Sequence, residues 1–131
     1  MSAEITVTVP ARPEFAHVLR AVVASVAARM DLGYDVIEEL RILVDEASAQ
    51  LLAIREPATA LRLRVIPSET AVELTVSTDA HVGRWPPERA ERGLGWQVVA
   101  GLADEAVFDQ WDGRAAVRLR KLASAPGGRD D

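Results

Sequence analysis

The stretch Asp35 to Ile54, DVIEELRILVDEASAQLLAI, is the longest segment of unbroken helical periodicity in the chain. Val36, Leu40, Leu43, Ala47, Leu51 and Ile54 recur at steps of three and four residues, so one stripe of the predicted helix faces a core. Asp35 with Glu38 three positions on has the form of a capping box, in which each side chain would satisfy free amides of the first turn. Arg41 and Asp45 are spaced to pair on the far side. Glu46 and Gln50 stand one turn apart at the edge of the apolar stripe, where a helix can look into a pocket. Both are also ordinary surface residues of a helix.

Outward from this helix the chain reads simply. Ile5, Val7 and Val9 alternate with Thr6 and Thr8, a half-buried strand closed by Pro10. Phe15, Val18, Leu19, Val22 and Val26 have helical spacing from Pro13 to about Met30, with Asp31-Leu32-Gly33 as the stop. His17 falls on the polar side of that helix. After Glu56-Pro57, Leu61, Leu63 and Val65 alternate with arginines. Pro67-Ser68-Glu69-Thr70 is a turn, and Val72, Leu74 and Val76 alternate again, which predicts an antiparallel hairpin with one wet face. Ser77 to Arg92 has no period and is rich in charge, Gly and Pro, and a loop of that length in a compact domain is more often functional than not. Gly93-Leu94-Gly95 opens a short apolar helix to about Leu102. A strand around Ala106 to Trp111, an Asp112-Gly113 hairpin signal and a last strand through Ala115, Val117 and Leu119 complete the order β-α-α-β-β-loop-α-β-β. This order predicts an α+β two-layer sandwich, a mainly antiparallel sheet with helices on one face.

At 131 residues one domain is expected, here residues 1–122, with 123–131 read as a disordered tail. The chain has no cysteine, which excludes disulfides, iron–sulfur clusters and a cysteine nucleophile. A formal charge of −5 argues against a nucleic-acid binder and favours a basic or amphipathic protein partner. No secretory or membrane-spanning pattern stands in the sequence, so a cytoplasmic location is expected.

Three separated features bear on chemistry. They are Glu46 and Gln50 on the long helix, Asp79 and Gly83 after the third strand, and Gly93-Leu94-Gly95 at the start of the late helix. Gly-x-Gly at a helix start can offer free amides to phosphate, although it can equally be a close turn. Asp79 can accept from an exocyclic amine, and a following Gly lets backbone approach a ligand. The order and spacing of these features resemble the GHKL ATPase fold and, within it, the anti-sigma serine kinases of the RsbW type, over residues 4 to about 122. LVDEASAQL is similar to the family's Asp/Glu-Ala-x-x-Asn helix, Asp79-Ala80-His81-Val82-Gly83 to its Asp-x-Gly-x-Gly box, and Gly93-Leu94-Gly95 to its Gly-x-Gly box.

The resemblance implies ATP or ADP with Mg²⁺ as cofactor and serine phosphorylation of an anti-anti-sigma (STAS-type) protein. It also implies sequestration of an RNA polymerase sigma factor and a homodimer. Glu46 is then the general base, Gln50 the metal contact, and Asp79, Gly83, Gly93, Leu94 and Gly95 the nucleotide contacts. Two departures weaken the expected cofactor site. Gln50 stands where the family has Asn and carries its amide oxygen one methylene too far for strict Mg²⁺ geometry. His81 stands for a Gly and would be strained if the loop required positive φ. Weak or absent nucleotide binding is therefore expected, and the runner-up reading is a protein-binding module of the same fold that has lost ATP. The exposed side of the first helix, Glu14, His17 and Arg20, is the expected partner surface. Ala21, Ala24, Ala27 and Ala28 on the same helix are expected to permit close approach of a second copy.

Overall fold

A computed structural model describes residues 3–123, and the predicted tail from Ser124 onward lies outside the described residues. Ala123 still belongs to the fold, since its amide donates to the Thr70 carbonyl at 2.8 Å.

Strands β1 (Ile5–Pro10), β2 (Ala60–Pro67), β3 (Ala71–Thr78), β4 (Glu105–Trp111) and β5 (Arg114–Leu122) form one antiparallel sheet in the order β1-β2-β3-β5-β4. Helices α1 (Ala16–Arg29), α2 (Tyr34–Leu52) and α3 (Leu94–Leu102) lie on one face of it. The predicted element order is thus the observed one. The alternation of each strand explains the layering: Leu61, Leu63, Val65, Leu74, Val76, Val117 and Leu119 all point to the helices and are buried. From α1 come Leu19, Val23 and Ala27, and from α2 come Leu40, Leu43, Val44, Ala47 and Leu51. Lys121 fixes the middle of the helix layer, with its ammonium 2.6 Å from a Glu39 carboxylate oxygen on α2 and 2.7 Å from the Leu102 carbonyl at the end of α3.

Several local expectations are corrected. The N-cap of α2 is Gly33, with extended backbone and no side-chain cap, and Asp35 lies inside the first turn. No Asp35–Glu38 capping box forms there; Asp35 acts as an acid near the positive helix end. Arg41 reaches Glu38 at 3.6 Å, because Asp45 is taken by Arg20 of α1 at 2.8 Å. Ala27 is core and not surface, whereas Ala21 and Ala28 are exposed.

The expected wet face of the β2–β3 hairpin is largely covered. Thr75 and Ser77 on the outward side of β3 are 3% and 2% exposed. The cause is Trp111 of β4, which lies across the small outward residues of β5 and β3 until its ring meets Arg62 of β2, the guanidinium carbon 3.4 Å from the ring centroid. Arg64 stacks on the same ring at 4.7 Å. The turn that aims Trp111 is the predicted one, with Asp112 and Gly113 at φ 54° and 75°, the paired positive values of a tight hairpin.

Candidate functional site

The central helix α2 carries Glu46 and Gln50 half-buried towards the start of α3. At that start Gly95 has no Cβ, and one built there would lie 2.5 Å from Glu46 Oε1 and 3.6 Å from Gln50 Nε2. Three of the sequence-predicted residues therefore meet, although they come from segments far apart in the chain. The α3 start has no side-chain cap, so its first amides are left without a side-chain acceptor and the positive helix end lies next to this point. Among the described residues Glu46 forms no ion pair and no side-chain hydrogen bond, so its carboxylate stands unpartnered beside an uncapped helix end. Gly93 is the N-cap, in extended backbone, and a Cβ there would meet only ordinary contact with the Ala90 carbonyl at 3.6 Å. Leu94 is 83% exposed, so its backbone and not its side chain belongs to the site.

Because only the far end of a flexible side chain opposes it, Gly95→Ala is expected to leave the fold intact. Replacing Gly inside a helix favours stability by about 0.5–1 kcal/mol, enough to offset moving a carboxylate. The expected result is an unchanged or slightly raised denaturation midpoint with Glu46 displaced, which a crystal structure of the variant would show. A loss of more than about 2 kcal/mol would mean that Glu46 is fixed more firmly than its lack of partners implies.

Asp79 is placed differently. Its carboxylate leaves the end of β3 and accepts from the Thr59 amide at 2.8 Å, the Ala60 amide at 3.1 Å and the Thr59 hydroxyl. Partial burial pushes its pKa up, and these bonds more than offset that, so the group stays below the usual Asp value and ionised. Asp79 thus clamps the start of β2. It lines a cavity with Thr8, Arg62 and Asp112, whereas Gly83, four residues on, lines two others.

Gly83 does not adopt positive φ, and nothing lies within 4 Å of a Cβ built on it, so its glycine freedom goes unused. Nor does His81 adopt positive φ; the strain expected at that position is absent, and its ring lies against Arg114. Ser77 and Thr78 of the expected Ser77–Arg92 loop belong to β3, and the loop that starts at Asp79 is pinned by a residue the sequence reading missed. Trp85 donates from Nε1 to the Ala116 carbonyl at 3.0 Å and sets its ring edge on Phe108, which stacks on Trp96 at 4.0 Å. A tryptophan in an otherwise polar loop was the available signal, since so large an apolar surface is seldom left in water. Between this loop and the end of α2 lies a cavity of about 500 Å³ walled by Ile54, Val82, Trp85 and Pro87.

Of the expected partner surface, Glu14 and His17 are exposed. Arg20 is not a free cation, because it ties α1 to Asp45 of α2. Among the described residues no three His, Asp or Glu side chains converge to hold a metal.

Residues 9–121 match the histidine kinase-like ATPase domain. The anti-sigma-F factor RsbW of Mycobacterium tuberculosis is 32% identical over 103 residues, 77% of this chain and 58% of that protein. The serine-protein kinase RsbW of Bacillus licheniformis is 30% identical over 133 residues, 86% of this chain and 81% of the relative. The serine-protein kinase RsbW of Bacillus subtilis is 46% identical over 43 residues, 33% of this chain and 27% of its own length. The chain spans just under three-fifths of the Mycobacterium tuberculosis protein, 58%, and most of the Bacillus licheniformis one. With the family covering nearly the whole described fold, the chain belongs to the histidine kinase-like ATPase domain family, on its RsbW-type branch.

Proposed function

We propose that this chain is a cytoplasmic anti-sigma regulator that works by protein binding, with nucleotide binding weak or absent. Its partners on this reading are an RNA polymerase sigma factor, which it sequesters, and an anti-anti-sigma protein of STAS type, which releases it. The similarity to RsbW proteins over most of the chain supports the partner classes. The observation that carries the nucleotide part is the state of the polar groups. Asp79 has both carboxylate oxygens engaged by Thr59 and Ala60 at the start of β2, and the unpartnered Glu46 carboxylate stands beside Gly95 at the start of α3.

A bound nucleotide would supply the γ-phosphoryl group and a share of the metal ligands. Towards these the residues present fit poorly: the unpartnered Glu46 carboxylate beside Gly95 repels a phosphate brought to that point, and Gln50 carries its amide one methylene further out than the Asn the family has there. No phosphoryl-transfer step is therefore assigned to the chain. The non-catalytic form of the reading is favoured over the kinase by the engaged Asp79 and by Gln50 standing where the family has Asn.

The test has two arms. Millimolar ADP–Mg²⁺ is expected to raise the melting midpoint by no more than about 2 °C, the stabilisation that a millimolar Kd gives a domain of this size. Each purified sigma factor of the source genome is mixed with the chain and run on gel filtration, and one is expected to co-elute and to be freed by one STAS-type protein. Co-elution of none would remove the anti-sigma reading. A shift of about 10 °C with ADP would return the chain to the nucleotide-binding kinases.

The same reading includes a homodimer, with the exposed Val18, Ala21 and Ala28 of α1 as the surface that permits close approach. Sedimentation equilibrium is expected to show a species of twice the 14.2 kDa chain mass, and a single monomeric species would count against it.

A further inference from the structure

We infer that the free edge of β4 is a docking site for an extended segment of a partner protein, which adds a further strand and sets basic side chains opposite Glu105 and Asp109. β4 (Glu105–Trp111) is the last strand of the sheet and pairs only with β5. The two-residue Asp112-Gly113 turn makes Trp111 and Arg114 a hydrogen-bonded pair, so Asp109, Val107 and Glu105, at even steps from Trp111, also turn their backbone groups to β5. Ala106, Phe108 and Gln110 then turn theirs away. The Gln110 amide agrees with this parity, because it donates to the carboxylate of its own neighbour Asp109 at 2.8 Å and not to a strand. Among the described residues the outward amides and carbonyls of Ala106 and Phe108 meet no loop and no side chain. Donors and acceptors left open in a row are what an incoming strand pairs with.

Room for its side chains lies alongside. A cavity of about 370 Å³ has Ala106, Val107 and Phe108 on one side and Trp96, Pro86 and Glu91 on the other. Its apolar floor is the Phe108 ring stacked on Trp96, 4.0 Å between centroids. Ala106 and Phe108 face the helix layer, as their partners Leu119 and Val117 do, so a residue paired with either one sends its side chain towards this space. Glu46, Gln50, Asp79 and Gly93 do not border it.

The charge of the occupant follows from the outward face of the sheet. There the sign alternates from strand to strand: Arg62 and Arg64 on β2, Glu73 on β3, Arg118 and Arg120 on β5, Glu105 and Asp109 on β4. Among the described residues the ion pairs of the β4 acids are both to Arg118, at 3.1 Å from Asp109 and 3.5 Å from Glu105, on the β5 side. Lys or Arg on an added strand would continue the alternation and meet each acid from its open side. A second copy would not, since it brings the same acids; with Ala106 opposite Phe108 of the copy, Glu105 would face Asp109 twice. The surface goes beyond the anti-sigma reading and stands whether or not a sigma factor is bound.

Amide chemical shifts of the full chain are followed during titration with the synthetic peptide Gly-Lys-Val-Thr-Ile-Lys-Gly, whose Val and Ile would meet Phe108 and Ala106 and whose lysines would meet the two acids. Saturable shifts are expected at 105–111 and at Trp96 with millimolar peptide, and the Ala106 and Phe108 amides should slow in hydrogen exchange. N-methylation of the peptide at Val and Ile removes two donors and keeps the side chains, and Glu for both Lys reverses the charge; each change is expected to weaken binding about tenfold or more. Ala106→Pro deletes an outward amide that β5 does not use, which an edge strand tolerates, and should weaken the Lys peptide about tenfold with the fold kept. Glu105→Lys leaves the backbone alone and is expected to shift the preference towards the Glu peptide. No saturable shift at 105–111, equal binding of the N-methylated peptide, or a Lys preference untouched by Glu105→Lys would overturn the inference. Loss of self-association in Ala106→Pro by sedimentation equilibrium would also overturn it, since the edge would then belong to a second copy.

Discussion

Asp79→Ala is expected to lower the unfolding free energy by about 2 kcal/mol, a large effect for a polar side chain at the surface of a fold. Removing the carboxylate strips the partner from the Thr59 and Ala60 amides, bound at 2.8 and 3.1 Å, and from the Thr59 hydroxyl. These bonds fasten the end of β3 to the start of β2, next to the register pair Leu61–Thr78 and the Thr78 hydroxyl bond to the Ala60 carbonyl at 3.2 Å. The Ala60 amide, half-buried beside the fully buried Leu61, finds water poorly in exchange, whereas Thr59 is exposed and its donors are rehydrated. Asp79→Asn keeps the shape and loses the charge, so it should cost about 1–1.5 kcal/mol.

The pH dependence has a definite sign. The folded pKa of Asp79 lies below its unfolded value, so its contribution is complete above the unfolded value, about 4, and is lost as pH falls through the folded one. Urea denaturation at pH 7 and at pH 3 should therefore show the gap between wild type and Asp79→Ala narrowing at low pH. An equal gap at both values would mean that the clamp does not depend on the ionised carboxylate.

The same residue shows where sequence reading stopped. Asp79 stood correctly at the end of a strand, and its acid was read as free for a base amine. What sequence could not reveal was that Thr59, twenty residues earlier, would turn two donors onto it, because that depends on the β2–β3 register. Elements were legible because period and punctuation are local: Asp112-Gly113, Gly93 and Pro10 each act within a few residues. The meeting of Glu46, Gln50 and Gly95 was also legible in kind, through motif order, though the approach so close that a Cβ on Gly95 would lie 2.5 Å from Glu46 was not. Caps and ion pairs were misread where a tertiary partner won, as when Arg20 took Asp45 from Arg41. Trp111 was placed on its strand, but its cover over Ser77 and Thr75 required the strand order, which puts β5 between β3 and β4.

Trp85→Ala is expected to cost about 2–3 kcal/mol and to release the loop that Trp85 holds. Half-buried, the indole loses less than a core tryptophan would, but it makes two separate kinds of attachment. One is the hydrogen bond to the Ala116 carbonyl at 3.0 Å, and the other the edge contact with Phe108 at 5.5 Å between centroids. Trp85→Phe deletes the first and keeps much of the second, so a loss of about 1 kcal/mol is expected, and the difference between the variants measures the ring contact. Trp85 is also the wall shared by the cavities of about 390 and 500 Å³ on either side of the loop, so its removal should join them into one cleft. The loop carries Arg84, Arg89 and Arg92, all exposed, which makes limited trypsin digestion the direct readout. Cleavage at these positions should accelerate in Trp85→Ala well before global unfolding, since local opening sets the rate when a loop loses its anchor. Equal cleavage rates in the two proteins, with stability within about 0.5 kcal/mol, would show that the loop is held by its backbone and not by the indole.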